Sequence, residues 1–323
     1  MAESNSLYDV STLGEAMLRI SVAPGVPLDT AETAALHTAG AESNVACALA
    51  ALGRRVAWAS RLPDSPPGRR IAGELRRAGV DLTFLTWSDS GRVGSFYVEL
   101  TLPPTPVRVT YDRAGSCATE MRPDSIDWSN LLRTRLLHLT GITPALSADC
   151  LATTREAVRR AREQGVPISF DVNYRRKLWS PQLASETLLP LLRDIELLFI
   201  AEADAAEVFG LDGSPEDRIE ALREMTGAKR IVLSIGGEGV LAWDGTTHRH
   251  QPAQPTAMID RLGAGDALAA GVIDGWLDGD FNKGLQAGAA LAALCLRRHG
   301  DIVLCTPNEL ADLVQSAGSR PQR

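Results

Sequence analysis

The sequence predicts an α/β protein with a central, mostly parallel sheet flanked by helices and a small antiparallel sheet beside it. Two observations support this prediction. Short apolar or β-branched runs alternate with longer helical patterns, an order typical of parallel sheets with helices on both faces. Two segments, residues 16–39 and 92–118, break this alternation with strand-like patterns that have no helix next to them.

The core elements follow one another along most of the chain. The predicted strands are residues 9–13, 56–60, 136–139, 168–172, 197–200 and 231–235. Predicted helices at residues 43–52, 67–78 and 148–164 are each followed directly by a glycine: Gly53, Gly79 and Gly165. Glycine commonly follows the end of a helix because it adopts positive φ without strain.

The two irregular segments predict a lid. Residues 16–39 and 92–118 are expected to pair into the small antiparallel sheet, which would lie over an active site and exclude water. The alternative is an edge hairpin without a functional role. Residues 1–315 are predicted to form one domain with this lid, and residues 316–323 a flexible tail.

Composition excludes several classes of function. The 323 residues carry a formal net charge of −7, which argues against a broad nucleic-acid surface. The five cysteines are scattered and odd in number, so neither a zinc site nor a disulfide framework is expected. The first six residues are polar and unlike a signal peptide, and the longest apolar run, residues 285–296, is too short to span a bilayer. A cytoplasmic protein that binds no membrane is expected.

A glycine-rich motif, residues 260–266, predicts a phosphate site. Gly263, Ala264 and Gly265 form a turn before a helical run, and free N–H groups at such a helix start bind anions. Asp266 would repel a phosphate unless it takes a proton from an attacking hydroxyl while the N–H groups hold the transferring group. The alternative is a structural turn capped by aspartate. The motif matches neither the P-loop nor the dinucleotide-binding pattern.

Polar residues converge on one edge of the predicted sheet. Asn173, Tyr174 and Arg175 follow the strand at residues 168–172, and the loop at residues 234–239 follows the strand at 231–235. The glycine motif would join them if residues 257–259 form a strand before it. Ligands of open α/β sheets bind at the carboxyl ends of strands, so this edge is the predicted site.

A second motif opens a helix near the N-terminus. Residues 40–46 place Glu42 and Asn44 beside small apolar residues. Ser43 or Asn44 could serve only as a helix cap. The other interpretation is contact between Gly40, Asn44 and a polyhydroxylated ligand.

Together, residues 40–46 and 260–266 resemble the ribokinase-like (PfkB) carbohydrate kinases, and the likeness extends over about residues 8 to 312. Within that family the chain is most similar to 2-keto-3-deoxygluconate kinases, on residues 138–147, 171–180, 111–113 and 300–301. Fructokinases share much of the 171–180 pattern, so fructose or ribose remains an alternative substrate. A non-catalytic regulator that binds sugar or nucleotide is a second alternative.

The resemblance implies roles for individual residues. Asp266 would be the catalytic base, with Gly263, Ala264 and Gly265 as the anion hole. The implied substrate-binding residues are Gly40, Ala41, Glu42, Ser43, Asn44, Tyr111, Asp112, Arg113, Arg175, Asp266 and Asp301. The implied ATP-binding residues are Asn173, Tyr174, Arg175, Ser234, Ile235, Gly236, Gly237, Glu238, Gly239, Gly263, Ala264 and Gly265.

ATP and Mg²⁺ are the implied cofactors, with a monovalent cation as a further candidate. The magnesium ligands stay open because residues 201–204 match the family's Asn-x-x-Glu stretch only loosely. An exposed lid sheet could also pair with its copy, so a homodimer through the lid is expected.

Two arginines are the reason to expect a sugar acid as the substrate. The planar guanidinium groups of Arg113 and Arg175 suit a carboxylate. Alternatively, Arg113 is an exposed lid residue and Arg175 forms a salt bridge at a strand end. Arg261 stands where the family commonly has a small or hydroxyl residue, and it would contact either a nucleotide phosphate or solvent.

Overall fold

The computed structural model describes residues 6–101 and 107–318, in which thirteen strands occur. In chain order the strands are β1 (Tyr8–Leu13), β2 (Met17–Ser21), β3 (Ala35–Ala39), β4 (Val56–Pro63), β5 (Leu85–Ser88), β6 (Ser95–Glu99), β7 (Arg108–Asp112), β8 (Thr134–Thr140), β9 (Ile168–Asp171), β10 (Leu197–Ala201), β11 (Arg230–Ser234), β12 (Val240–Trp243) and β13 (His248–Gln251).

Ten α-helices lie within the same described ranges. They are α1 (Ala41–Ala51), α2 (Pro66–Ala78), α3 (Trp128–Leu131), α4 (Ala148–Glu163), α5 (Pro181–Leu188), α6 (Glu202–Phe209), α7 (Pro215–Thr226), α8 (Ala264–Leu277), α9 (Phe281–Leu296) and α10 (Pro307–Gly318).

Nine strands form the central sheet, in the order β13-β12-β11-β10-β9-β8-β1-β4-β5. The seven strands from β11 to β5 are parallel, and β12 and β13 extend the β11 edge as antiparallel neighbours. The predicted mostly parallel α/β sheet is confirmed. Its carboxyl edge collects the loops that follow β1, β9, β10 and β11.

Helices cover both faces of this sheet and bury two apolar clusters. One face packs against α1, α2, α8 and α9, and contains Val45, Ile71 and Ile273. The opposite face packs against α4 to α7, and contains Phe170 and Ile219. Because both faces are covered, the parallel strands are apolar almost throughout, which is why they stand out in the sequence.

Several helix ends follow from local sequence. The Ser65 hydroxyl accepts a hydrogen bond from Gly68 N at the start of α2, and Gly79 ends that helix with φ 96°. Ser214 and Asp217 form a reciprocal capping box at the start of α7. Side chains of this kind satisfy N–H groups that have no partner within the helix.

The lid is a four-stranded sheet in the order β3-β2-β6-β7. The predicted small second sheet is confirmed, but it is not wholly antiparallel, because β2 pairs with β6 in parallel. Each insertion supplies one antiparallel pair. Since β1 and β5 run in the same direction, the strands β2 and β6 that follow them leave the central sheet side by side and aligned. Residues 102–106 of the predicted lid lie outside the described residues.

Helices α8 and α9 approach each other very closely. A Cβ atom at Gly271 would collide with the backbone of Gly288, and one at Gly275 would collide with the backbone of Gly284. Four glycines therefore bring the two helix backbones into direct contact. This packing fixes the helix that begins at the glycine motif.

One prediction about local structure was wrong. Residues 257–259 form no strand, since Met258 and Ile259 are exposed and the backbone N–H of Ile259 bonds to Leu296 O at the end of α9. Of the predicted flexible tail, residues 316–318 continue α10, and residues 319–323 lie outside the described part, so its flexibility stays a prediction.

Candidate active site

The glycine turn forms the start of α8 at the carboxyl edge of the sheet. Gly263 is the N-cap residue with φ 86°, and a side chain there would collide with the backbone of Asp301. Gly265 has open space where a side chain would begin. One glycine therefore permits the turn and the other leaves room for a ligand against the free N–H groups of the helix.

Asp266 lies in the first turn of α8 and contacts the N-terminal motif. Its Oδ2 accepts a hydrogen bond of 2.7 Å from Asn44 Nδ2, and Asn44 Oδ1 accepts one of 3.3 Å from Gly40 N. Burial raises the pKa of Asp266 to about 7, and the negative charges of Asp301 and Glu42 add to the effect. A carboxylate of this pKa is matched to proton transfer near neutral pH.

A cavity of about 280 Å³ opens beside Asp266. It is lined by Asp171, Asn173, Arg175, Phe199, Ile200, Ala201, Asp204, Val232, Ser234, Arg261, Leu262, Gly263, Gly265, Asp266 and Leu268. The predicted phosphate turn and the polar residues after β9 and β11 therefore share one space.

The acidic groups in this cavity repel one another. Burial raises the pKa of Asp171 to about 8, and the charges of Asp266 and Asp204 raise it further. Burial also raises the pKa of Asp204. The Arg175 guanidinium opposes the increase at all three carboxylates. A bound cation would lower these pKa values again and favour the ionised carboxylates.

Of the two acidic residues in the stretch 201–204, one lines the cavity and the other does not. Asp204 Oδ2 accepts a hydrogen bond of 3.0 Å from Tyr174 N and lines the cavity. Glu202 instead forms an ion pair with Arg218 of α7. Asp204 is therefore the acidic residue of this stretch that can reach a ligand.

A larger cavity of about 790 Å³ adjoins the first one. Ser234, Arg261, Gly265 and Leu268 line both. The remaining lining residues of the larger cavity are Gly236, Gly237, Gly239, Val240, Gln251, Ala253, Gln254, Pro255, Thr256, Met258, Ala264, Ala289, Ala292, Ala293 and Leu296. Small apolar side chains and a glycine loop leave a slot for a flat apolar group.

Three residues predicted at the ATP site lie away from both cavities. Tyr174 is buried, and its hydroxyl donates to Trp179 O at 3.0 Å. Ile235 packs against the main apolar cluster. Neither these two nor Glu238 lines a cavity, so Ser234, Gly236, Gly237 and Gly239 are the loop residues that face the space.

The N-terminal motif is more deeply buried than a lining role requires. The carboxylate of Glu42 accepts hydrogen bonds from the hydroxyls of Thr140 (2.7 Å) and Thr143 (2.6 Å), and burial raises its pKa. Ser43 is fully buried, and its hydroxyl donates to Gly40 O. Ala41 is buried as well. Among the residues of the motif, Asn44 is the one that donates a hydrogen bond to Asp266, and Gly40 N donates in turn to Asn44.

The lid residues differ from the expectation of free side chains. Arg113 is buried, and Glu15 accepts hydrogen bonds from its Nε (2.8 Å) and from a terminal nitrogen. Ser116 also donates to Glu15. Asp112 is exposed and pairs with Arg92, so its side chain points away from the site. The alternative of an exposed Arg113 is wrong, because a buried carboxylate holds it.

Tyr111 lies where the lid meets the body of the protein. The Arg113 guanidinium and the Lys177 ammonium each lie 5.6 Å from the centre of its ring. Lys177, which follows β9, also donates to Val109 O of β7 at 2.8 Å. These contacts hold the far lid strand against the loop that carries Arg175.

Asp301 belongs to a buried charged cluster. The guanidinium of Arg19, from lid strand β2, is fully buried and pairs with Asp301 Oδ1 at 2.5 Å and with Asp260. Burial raises the pKa of Asp301 to about 6, and Arg19 opposes that rise. The carboxylate of Asp301 is therefore engaged by the lid, while its backbone supports Gly263.

Sequence reasoning missed four residues of this region. Asp171 and Asp204 line the cavity, and a signal for them exists in the sequence, since Asp171 ends a buried strand and Asp204 follows another closely. Arg19 lies in the segment 16–39, whose strand-like pattern indicated only the lid, and Glu15 comes directly before that segment. Their partners are distant in the chain, so no local signal could identify them.

The chain is similar to several known proteins. The profile of the pfkB family carbohydrate kinases matches residues 8–309. A 2-dehydro-3-deoxygalactonokinase from Haloferax volcanii is 39% identical over 303 residues, which cover 94% of this chain and 95% of that protein. A 2-dehydro-3-deoxygluconokinase from Bacillus subtilis is 31% identical over 296 residues, 91% of each chain. The crystal structure of 2-dehydro-3-deoxygluconokinase from Thermotoga maritima has a TM-score of 0.87 at 29% identity and covers 95% of this chain and 98% of its own.

Proposed function

This chain belongs to the pfkB family of carbohydrate kinases, and we propose that it transfers phosphate from ATP to the primary hydroxyl of a six-carbon 2-keto-3-deoxy sugar acid. The product from 2-keto-3-deoxygluconate, also named 2-dehydro-3-deoxygluconate, is the 6-phosphate. The observation that carries this proposal is the contact between Asp266 and Asn44 at the mouth of the glycine turn.

Asp266 acts as the base in this reaction. Its carboxylate takes the proton of the sugar hydroxyl, whose oxygen attacks the terminal phosphorus of ATP while the bond from that phosphorus to the bridging oxygen breaks and ADP leaves. Asn44 orients the carboxylate through the hydrogen bond to Oδ2. The N–H groups of the turn at residues 263–265 hold the transferring phosphate as its charge shifts, and positioned donors of this type are worth about 10²–10³ in rate.

Each of the two cavities binds a different part of the nucleotide. The small cavity beside Gly263 and Gly265 takes the transferring phosphate, and the larger apolar slot takes the base. The glycine loop after β11 allows the ligand to approach the backbone closely.

Magnesium fits the acidic half of the small cavity. No group of three or more His, Cys, Asp or Glu side chains able to hold a metal by themselves is found in residues 6–101 and 107–318. Mg²⁺, however, usually binds one or two carboxylates together with water and substrate phosphates. Asp171 and Asp204 would hold it here, and it would neutralise the charge of the phosphates. For the further monovalent cation, no particular residue provides support.

Arg175 provides the strongest support for an acidic sugar. It lines the small cavity close to Asp266, and in the described part of the chain its side chain makes one hydrogen bond, to Tyr174 O. Its remaining N–H groups can bind a carboxylate in parallel. Arg113 contributes less net charge than expected, because Glu15 compensates it.

The galactonate form is a second candidate substrate. It differs from the gluconate form only in the configuration at C4. The 39% identity to a relative named for the galactonate form exceeds the 31% identity to one named for the gluconate form, which favours testing both.

A substrate panel tests the proposal. The purified protein is supplied with ATP, Mg²⁺ and one of four sugars: 2-keto-3-deoxygluconate, 2-keto-3-deoxygalactonate, fructose or ribose. We expect kcat/KM for at least one keto-acid to exceed that for both neutral sugars by about 10²-fold or more, since a site built for a carboxylate leaves Arg175 unpaired with a neutral sugar.

Two results would contradict the proposal. Faster turnover of fructose or ribose would assign a neutral substrate. Ligand-dependent stabilisation without turnover of any sugar would indicate a non-catalytic binding protein. Mass spectrometry of the product identifies the phosphorylated carbon independently of the rate.

No helix within the described ranges is long and apolar enough to cross a membrane. We further propose that the enzyme acts in the cytoplasm and dimerises through its lid.

A further inference from the structure

Arg261 occupies an unusual position in the glycine motif. It lines both the small cavity beside Asp266 and the larger apolar cavity. Its side chain is exposed, and it makes no hydrogen bond or ion pair with other residues of the described part of the chain. Arg261 therefore lies where the two cavities meet, and no carboxylate of the described residues pairs with its guanidinium.

The backbone on either side of Arg261 is fixed. Asp260 is bound by the buried Arg19, and Leu262 packs against the apolar cluster of the lid that contains Met17 and Phe96. Leu262 N also donates to Asp260 Oδ1 at 3.1 Å. The position of the Arg261 backbone is therefore set by its neighbours, while its side chain remains free to bind a ligand.

Charge distribution identifies the chemistry of that ligand. Among the residues that line the larger cavity, Arg261 is the only charged one. The small cavity carries three carboxylates and only Arg175 besides Arg261 as a cation. An anion that extends from the glycine turn into the apolar slot would meet one full positive charge on that path, and it would be Arg261.

We propose that Arg261 binds the phosphates of the nucleotide that are not transferred. This inference rests on the proposed kinase function, since it assumes that the terminal phosphate lies at Gly263–Gly265 and the base in the apolar slot. The guanidinium then lies alongside the α- and β-phosphates, where its planar N–H groups can make two parallel hydrogen bonds. It is a binding residue for the nucleotide and takes no part in proton transfer.

Calorimetric titration separates this role from a structural one. ATP, ADP and adenosine are titrated into the wild-type protein and into the variants Arg261→Met and Arg261→Lys. We expect Arg261→Met to weaken ATP and ADP binding by about 10- to 100-fold and to leave adenosine binding unchanged. The affinities of Arg261→Lys for ATP and ADP should lie between those of wild type and of Arg261→Met, because lysine keeps the charge without the planar fork.

Arg297→Met is the matched control. Arg297 is also exposed, follows α9 next to the cavity residue Leu296, and lines neither cavity. This variant removes the same charge and should retain wild-type affinity for all three ligands. The affinity for the sugar acid should stay unchanged in every variant.

Three results would overturn the inference: unchanged ATP and ADP affinity in Arg261→Met, an equal loss for adenosine, or an equal loss in Arg297→Met. The second would mean that the cavity is distorted, and the third that overall charge is responsible. A wild-type protein that binds neither ATP nor ADP would instead overturn the proposed function itself, which makes the two failures distinguishable.

Discussion

At the scale of single residues, Asp266 combines the proposed role of catalytic base with a cost in stability. Its pKa is raised from an ordinary value of 3.8 to about 7, so the folded protein favours the protonated form. Stability from this group is complete below pH 4 and is lost as the pH rises towards 7. The ionised form that the reaction requires is thus the form that the fold favours less.

Replacing Asp266 with asparagine tests both properties. We expect kcat to fall by about 10²- to 10⁴-fold, because the base is removed, with ATP affinity almost unchanged. The variant should also melt about 2–4 °C above wild type at pH 8, and this difference should vanish near pH 4. Turnover assays and thermal melts at both pH values check this. The exposed Asp312→Asn serves as control, and near-normal turnover of Asp266→Asn would exclude Asp266 as the base.

Residue identities were more predictable than residue partners. The phosphate turn and its carboxylate are local in sequence, so their chemistry could be inferred from the order of the residues alone. The partner of Arg113 is Glu15, almost one hundred positions earlier, and its burial depends on how the lid closes on the sheet. Local patterns carry no information about such pairs, which is why the charge of Arg113 was overestimated.

At the scale of elements, strand β2 connects the lid to the glycine motif. Its Arg19 is fully buried between Asp260, which begins the motif, and Asp301, whose backbone contacts Gly263. The same strand contributes Met17 to the apolar cluster that contacts Leu262. One edge of the lid is therefore anchored by charge and by apolar packing.

Removing the buried charge of Arg19 should lower the free energy of unfolding. Arg19→Met leaves two buried carboxylates without a partner, and we expect a loss of about 3–5 kcal/mol in the free energy of unfolding. The triple variant Arg19→Met, Asp260→Asn, Asp301→Asn removes all three charges and should recover most of that loss. Urea denaturation at pH 7 measures both. Equal stability of wild type and the single variant would show that the cluster is not desolvated as described.

Strands of the sheet were predictable where a single sequence pattern marked them. Apolar runs located the central strands because both faces of the sheet are covered. Residues 257–259 also form an apolar run, yet their backbone bonds to the end of α9 rather than to a strand, and they remain exposed loop. The parallel pairing of β2 with β6 likewise depends on the direction in which two distant insertions leave the sheet.

At the scale of the whole molecule, the small sheet of the lid is open at both edges in the described part of the chain. Strands β3 and β7 form its edges, and Leu36 on β3 is 43% exposed. Unpaired edges and exposed apolar side chains favour association between copies. This arrangement agrees with the proposal of a dimer.

Light scattering after size exclusion tests the dimer. Wild type should elute with about twice the mass of one chain. Leu36→Lys should shift the protein towards the single-chain mass, because it places charge on an exposed apolar position. Leu183→Lys is the control, since Leu183 is also exposed but lies on α5, away from the lid. A single-chain mass for wild type would contradict the proposed dimer.

The contact between α8 and α9 determines how the base is held in place. Asp266 stands in the first turn of α8, and Gly275 lies nine residues later, about 14 Å along the helix axis. There, α8 meets Gly284 backbone to backbone, with no side chain between them that could change rotamer. No change of rotamer can therefore alter this contact, and the register of α8 against α9 depends on the two backbones. The position of the proposed base is thus set in part from a distance, by atoms that carry no functional group.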